Sequence, residues 1–384
     1  MVRRALRGLR SGAAGDVTWI ILALCCAAAA YQFIALAAAL NHLRQTAYPK
    51  PAAQPVSILK PVHGRHPGFY EAILSHAVQR YPDFEILFGV AQPDDAARGD
   101  IERLIREFPG VPIRLIECKT LAPNAKVGSL IDLAREARHS ILIVNDADIS
   151  VPADYIERVT APLGNAGVGL VTCLYRAEAH DWPNRFEALA IATEFAPSTL
   201  VARWFGVSEF GLGSTLAFRA SDLARIGGFE AIRDYIADDY QLGSKLHGLG
   251  LRNVISEVVV STRLATGSWR AAWDHQLRWA RTIRLSRGGY FGLPVTFATL
   301  WCLAAALAGL WWVALALLAL RIAMAVGAGW FVLRSPIVWK YCYAIPARDF
   351  WGVSVWAAGL FGDTVVWGRE RLRLDREGRI VAKG

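Results

Sequence analysis

The longest apolar run in the first half of the chain is Val17–Leu40, in which only Thr18 and Gln32 are clearly polar. About 20 such residues cross a bilayer as a helix. A retained N-terminal transmembrane anchor is therefore predicted, because the run is too long for a cleaved signal peptide and no clear cleavage site closes it. Past a proline-bearing linker over residues 41–54, short apolar runs alternate with helical periods. Val56–Leu59, Phe84–Val90, Val111–Ile116 and Ile141–Val144 read as buried strands. Between them Gly68–Arg80, Asp94–Phe108 and Lys126–Ala137 have helical spacing; in the second, Ile101, Leu104, Ile105 and Phe108 share one face. This alternation predicts an α/β fold, a parallel sheet with helices on both faces, of the nucleotide-binding class. No GxGxxG follows the first strand, which disfavours a dehydrogenase-type dinucleotide fold.

The second half continues with a helix over Ala153–Leu163 and a strand over Gly167–Tyr175. Phe186–Phe205 reads as a buried or interfacial helix, interrupted by Glu187, Glu194, Pro197 and Arg203, that helps form an acceptor pocket. Phe210–Arg219 is strand-like, Ser221 is placed to cap a helix that Gly227 and Gly228 end, and Arg252–Val260 is a further strand. Trp269–Arg287 is basic and amphipathic, with tryptophans among arginines, as in helices that lie on a membrane surface. Gly292–Leu333 carries Arg321 as its only charge and suits two membrane helices in a hairpin, or one steep helix plus an interfacial one. Phe350–Trp367 reads as interfacial or re-entrant, and the charged tail Arg369–Lys383 as exposed. The chain thus divides into a basic tail (1–16), an anchor (17–40), a linker (41–54), an α/β domain (55–267), an amphipathic basic helix (268–291), a membrane hairpin (292–333) and an interfacial segment with its tail (334–384).

The formal charge of +9, arginine far exceeding lysine, suits a negative partner such as a nucleotide diphosphate or an anionic membrane face. Nucleic acid is the weakest partner, since no helix-turn-helix, zinc-finger or RNA-binding signature is present. The six cysteines form no CxxC, so neither a disulfide framework nor a zinc site is suggested.

Candidate chemistry centres on Ile141–Ser150, ILIVNDADIS. Asp146 and Asp148 follow a buried strand, at the carboxyl end where open α/β sheets bind ligands. Two acids there are placed to hold a hard divalent cation and, through it, a pyrophosphate; the competing reading is a solvated turn. Asp238 and Asp239 sit together at a predicted helix start, where the helix dipole favours negative charge.

In order, KPVHG, NAKVGSL, NDAD, ADDY and HQLRW, set between an anchor and a membrane hairpin, resemble the ceramide glucosyltransferases of glycosyltransferase family 21 and their bacterial relatives linked to hopanoid glycosylation. The resemblance runs from Val17 to Leu374 and rests on the order and spacing of the motifs together. It implies a GT-A fold. It also implies inverting transfer of a sugar, glucose or N-acetylglucosamine, from a UDP-sugar to a lipid hydroxyl, that of ceramide or a hopanoid polyol. Carried over residue by residue, it implies Asp146 as the acid that coordinates Mg²⁺ or Mn²⁺ and the nucleotide, with Asp148 as a further ligand. Asp239 is implied as catalytic base with Asp238 its acidic neighbour, Arg278 and Trp279 as the end of the (Q/R)xxRW motif, and Asn124 and Lys126 as the NxK segment near the nucleotide. The chain departs from the pattern twice. The family's first aspartate falls near Gln92, with Asp94 and Asp95 just beyond it: either they replace it with a shift, or the uracil contact differs. The first position of the (Q/R)xxRW motif is His275, which can still donate a hydrogen bond.

The alternatives are a processive polysaccharide synthase, or a non-catalytic membrane scaffold that keeps a nucleotide-binding domain. Because UDP-sugars are cytosolic, a multi-pass protein of a bacterial inner membrane with its catalytic domain facing the cytosol is expected. That orientation puts Arg3, Arg4, Arg7 and Arg10 outside, against the positive-inside rule.

Overall fold

A computed structural model of the chain describes residues 2–44, 48, 53–264, 267–286, 289–368 and 370–383. Its centre is a sheet of eight strands: β1 (Val56–Val62), β2 (Phe84–Val90), β3 (Ile113–Glu117), β4 (Ile141–Val144), β5 (Ile149–Ser150), β6 (Val168–Glu178), β7 (Leu216–Arg219) and β8 (Arg252–Arg263). Their spatial order is β3-β2-β1-β4-β7-β6-β8-β5. The first four expected strands pair in parallel, β3 with β2, β2 with β1 and β1 with β4. Every residue of β1, β2 and β4 is buried, as strands covered on both faces require. One face carries Ile58, Ile86 and Ile143, the other Leu59, Leu87 and Leu142.

The wholly parallel sheet is corrected here. β7 enters between β4 and β6 and runs against both, and β5 runs against β8. Hydrophobic spacing reports which residues are buried but not which strand lies beside which. The strand expected over Phe210–Arg219 shrinks to β7, because Leu212 and Thr215 bridge in a tight turn just before it. Ser221 is not a cap: the helix is Ala220–Arg225, its N-cap is Arg219, and no side chain bonds that end.

The expected anchor is the helix Val2–Leu43, whose stretch Asp16–Leu43 is long and apolar enough to cross a membrane. It absorbs the start of the expected linker; half of that linker, residues 45–47 and 49–52, lies outside the described residues. A second such stretch is Trp311–Val332. Between the α/β domain and that stretch lie a 3₁₀ turn, Tyr290–Thr296, and a helix of ten residues, Ala298–Leu307, bent by 62° from each other. Ten residues rise only about 15 Å, so the first arm of the expected hairpin is short. The membrane helices meet through small residues, Cys25, Ala28, Ala298, Cys302, Ala305 and Ala314, which let backbones approach closely.

Most of Phe350–Trp367 belongs to the helix Ile345–Gly359, and its end is a strand, β9 (Thr364–Trp367). The tail is largely exposed, as expected, and it is folded. β9, β10 (Glu370–Leu374) and β11 (Ile380–Lys383) form an antiparallel sheet whose Val365, Leu372, Leu374 and Ile380 pack on Ile236. The segment leaving the α/β domain near residue 286 therefore returns to the same side of it by residue 364.

Charge inside the apolar part is satisfied by one cluster. Arg321 is wholly buried; its Nη2 lies 2.7 Å from Asp349 Oδ1 and its Nη1 donates to the Thr193 carbonyl at 2.9 Å. Asp349 also accepts from the backbone N–H and hydroxyl of Thr299. Thr193 sits in a π-turn, Ile191–Phe195, that joins the helices Trp182–Ala190 and Ala196–Trp204 into the single expected helix. Next to it Arg348 donates to Glu194 at 2.9 Å. Burial pushes the Glu194 carboxyl up to about 7, while Arg348 and Arg321 pull it down and Asp349 pushes it up.

Removing one partner of a buried pair strands the other charge, at about 3–5 kcal/mol, whereas removing both is often close to neutral. Asp349→Leu is therefore expected to lower the thermal midpoint sharply, and the double variant Arg321→Met/Asp349→Leu to recover much of the loss. Equal destabilisation of the two would contradict the pairing. Glu194 binds its proton more tightly in the folded chain than in the unfolded one, so its contribution to stability is complete at low pH and is lost as pH rises through about 7. Unfolding curves of the wild type are expected to show that decline, and those of Glu194→Gln to lack it.

Candidate active site

β4 ends in Asn145, which is wholly buried; its Nδ2 donates to the Ser214 carbonyl and the Tyr155 hydroxyl, both at 2.8 Å. This fixes the turn that presents Asp146, whose side chain is 43% exposed. The backbone N–H of Asp146 donates to the Gly213 carbonyl at 3.2 Å. The N–H of Gly213 in turn donates to Asp239 Oδ2 at 2.9 Å, and the Tyr240 N–H to Asp239 Oδ1 at 2.7 Å. A Cβ placed on Gly213 would lie 2.9 Å from Asp146 Oδ2 and 3.6 Å from Asp239 Oδ2. The acids of the NDAD and ADDY motifs thus face each other across one glycine.

The helix Asp238–Gly248 carries Asp238 and Asp239 in its first turn, where the dipole favours them. It reaches the cleft because Gly243 packs directly on the backbone of Phe210 and Gly211, where a Cβ would come within 2.4 Å. Lys126 joins the parts: its Nζ lies 2.8 Å from Asp146 Oδ1 and 3.0 Å from Asp238 Oδ2. Burial alone would depress this ammonium; Asp146 and Asp238 outweigh it and hold the pKa above the ordinary lysine range. Burial, Asp239 and Asp146 push Asp238 up to about 6 against the pull of Lys126. Both directions have one origin: the cluster holds more carboxylates than cations, which favours the proton on Lys126 and on Asp238.

Asn124 does not face the cleft. It is wholly buried, caps the helix Ala125–Glu136 by accepting from the Val127 N–H, and donates to the Tyr235 carbonyl at 2.8 Å. Its effect is to aim Lys126 and tie down the loop before Asp238. Asp95 is buried too and accepts from the Gly64 N–H at 2.8 Å and the Ala97 N–H at 2.9 Å, so it clips the loop after KPVHG to the next helix. Asp94 is exposed beside it. Asp148 accepts from the Thr262 hydroxyl of β8 with one of its oxygens.

The amphipathic helix is Trp269–Ser286. His275, Arg278 and Trp279 share a face through their spacing of three and four. His275 Nδ1 lies 2.8 Å from Oε1 of Glu187, a carboxylate with no exposure. Its ring centroid is 4.7 Å from that of Trp279. Arg278 is largely buried within the field of Glu187, Asp146, Tyr175 and Asp239, and burial lowers its pKa. Its guanidinium lies 5.9 Å from the ring of Trp367, so the C-terminal sheet closes this side of the cleft. At the far end Phe186 meets Trp269, and Trp273 meets Trp351, edge to face, while Trp269 and Trp351 pack tilted; Trp269 and Trp182 are partly exposed.

Three contributors were missed in sequence. Lys60, inside β1, is wholly buried beneath the cleft; its Nζ donates to the Asp146 carbonyl at 3.2 Å, and burial depresses its pKa to about 7 against the pull of Asp148 and Asp146. A lysine following four strand residues was the available signal. Glu187 was noted as an interruption of an apolar helix, and its pairing with His275 was not legible. Trp367 gave no signal, being remote in sequence.

No group of three His, Cys, Asp or Glu lies close enough to hold a metal among the described residues. A cation carried by a nucleotide needs only one or two carboxylates, because phosphate and water complete its shell. Asp146, half exposed in the cleft, fits that requirement; Asp148 has one oxygen committed to Thr262.

Comparison with known proteins follows the same lines. Ceramide glucosyltransferase 1 of Caenorhabditis elegans is 26% identical over 227 residues, 58% of this chain and 48% of its own length. Ceramide glucosyltransferase 3 of the same organism is 26% identical over 230 residues, 59% and 50% of the two chains. A ceramide glucosyltransferase of Komagataella phaffii is 29% identical over 120 residues, 30% of this chain and 24% of its own. The chain spans at most about half the length of these curated relatives. Among solved structures, a mannosyltransferase of Pyrobaculum calidifontis in complex with GDP-Man and Mn²⁺ superimposes with a TM-score of 0.54 at 20% identity, covering 90% of this chain and 96% of its own. That likeness shows the fold, a glycosyltransferase sheet of the expected GT-A kind. The model for glycosyl transferase family 21 matches residues 17–380, and the chain belongs to that family.

Proposed function

We propose that the protein is a membrane-bound inverting glycosyltransferase that moves glucose or N-acetylglucosamine from a UDP-sugar to a lipid hydroxyl, that of ceramide or a hopanoid polyol. The observation that carries this reading is the meeting of Asp146 and Asp239 at Gly213, beside a helix that runs to an exposed aromatic edge and two apolar spans. A sugar nucleotide held at Asp146 puts its anomeric carbon within reach of Asp239. Each oxygen of Asp239 already takes a backbone hydrogen bond, so the carboxylate is oriented before substrate arrives.

In this reading Asp239 removes the proton of the lipid hydroxyl as the oxygen attacks the anomeric carbon from the side opposite the diphosphate. Configuration is inverted and UDP leaves. Arg278, fixed beside Trp367, stabilises the charge that grows on the leaving diphosphate. A divalent cation held by Asp146, with Asp148 as a further ligand, would supply Lewis-acid neutralisation of that diphosphate. Lys126 bridges Asp146 and Asp238 and holds them side by side, and Glu187 orients His275 toward the acceptor. The solved mannosyltransferase of like fold holds a nucleotide sugar together with Mn²⁺, in keeping with a cation-borne donor here.

The lipid reading also accounts for the apolar parts. The α/β domain and the C-terminal sheet lie on one side, so Trp311–Val332 can cross only if residues 290–307 carry the chain in the other direction. With the domain in the cytosol, where UDP-sugars are, the N-terminal arginines stand outside despite the positive-inside rule. A processive synthase gains no support from a single paired excursion of this kind.

Asp239→Asn is expected to lower transfer by about 10²–10⁴-fold while leaving UDP-sugar binding, followed by calorimetry, within a few-fold of wild type. Turnover at the wild-type rate would remove Asp239 as the base. Gly213→Ala is expected to displace the Asp146 carboxylate and to lower transfer by about 100-fold, the order of loss that misplacement by about 1 Å brings, with an unchanged unfolding curve. Full activity in that variant would show that the two acids do not act in one cleft.

A further inference from the structure

A cavity of about 500 Å³ lies away from the cleft, between the end of the N-terminal span, the end of the helix Ala196–Trp204 and the start of β8. His42, Arg203, Trp204, Arg252 and Asn253 line it. Asp148 sits at the other end of β8, by Thr262. Ten residues of strand separate Arg252 from Thr262, about 33 Å.

The lining is built for an anion. Arg203 and Arg252 are close enough to repel, and neither has a carboxylate partner among the described residues. Arg203 spends one N–H on the Asn253 carbonyl at 3.3 Å and has the rest of its fork to give. His42 is 5% exposed, and its Nδ1 has no hydrogen-bond partner. Glu257 is the acid in the field of His42, and it is already paired with Arg158 at 3.0 Å. Such an uncompensated basic pocket binds phosphate or carboxylate bidentately.

Its rim argues for a lipid. Leu40 and Leu43 at the end of the span, with Trp204, Phe205 and Val207, are all exposed beside the cavity. Aromatic and aliphatic side chains around arginines mark the level at which headgroups meet acyl chains. The volume exceeds what a free phosphate fills, leaving room for a headgroup.

We propose that this cavity holds the phosphate of an anionic phospholipid, with Arg203 and Arg252 on the phosphate oxygens, His42 donating from Nδ1, and the chains leaving over Leu40, Leu43 and Phe205. Asn253 in the wall donates to the Gly243 carbonyl at 2.8 Å, so the bound lipid adjoins the helix that carries Asp239.

The test uses the full chain in nanodiscs of phosphatidylcholine containing a minority of phosphatidylglycerol. Intact-protein mass spectrometry counts the lipid that stays bound on release. One retained phosphatidylglycerol is expected in the wild type, and about tenfold weaker retention in Arg252→Gln, the loss of one charge-assisted contact. The Arg252 side chain is exposed and bonds nothing else among the described residues, while its backbone N–H, which donates to the Gly167 carbonyl, is untouched by the substitution, so that variant is expected to unfold like the wild type. A second variant, Arg203→Lys, keeps the charge without the fork and is expected to fall between. Titration of detergent-purified protein with inorganic phosphate and glycerol phosphate separates a lipid from a soluble ligand. Equal retention of phosphatidylcholine, undiminished phosphatidylglycerol retention in Arg252→Gln, or soluble phosphate binding as tight as the lipid would each overturn the proposal.

Discussion

Asp146 and Asp238, brought from opposite halves of the sheet's chain path, bond the same partly buried ammonium, Lys126, with Asp239 also in its field. Without that ammonium the carboxylates would repel at a few ångströms, and burial would penalise each one. With it the cluster holds together yet keeps surplus negative charge, which is the property a cation-bearing diphosphate site needs. Asn124 sets the arrangement from below, capping the helix that starts with Ala125 and bonding the loop that leads to Asp238. One buried amide therefore positions both sides of the cleft.

The remaining constraints are steric and hydrophobic. Gly213 allows Asp146 and Asp239 to face each other, and Gly243 allows the helix of Asp239 to touch the backbone of Gly211. On the other side, the helices from Trp182 to Trp204 serve both environments. Glu187 orients His275 within the cleft, while Thr193 and Glu194 bond Arg321 and Arg348 of the apolar part. The π-turn between them alters the helical phase, and such turns recur at functional sites. The cleft and the membrane segments are thereby tied through one element.

Much of this was legible in the sequence where the signal was local. β2 and β4 fall on the expected residues, because unbroken β-branched and aromatic runs bounded by polar turns have few other solutions. The motif acids were found because strand ends and helix starts give carboxylates a place to act. What escaped depended on partners distant in sequence. The direction of β7 follows from which strands it lies between. The C-terminal sheet reads as a charged tail, since only Leu372, Leu374 and Ile380 of its last two strands are buried. Asn124 and Asp95 looked like ligand contacts and are instead spent on backbone groups. Lys60 was hidden by being an inconspicuous lysine beside a proline, although it lies wholly buried under the NDAD turn.

The account rests on a nucleotide sugar and a membrane alcohol reacting in one displacement between Asp146 and Asp239. The most direct measurement is nuclear magnetic resonance of the lipid product formed in vesicles from isotopically labelled UDP-glucose and UDP-N-acetylglucosamine, with ceramide and a hopanoid polyol offered as acceptors. A single labelled sugar joined to a lipid in the β configuration, opposite to that of the α-linked donor, is the predicted result. An α-linked product, a polymer, or release of free sugar with no lipid product would contradict it.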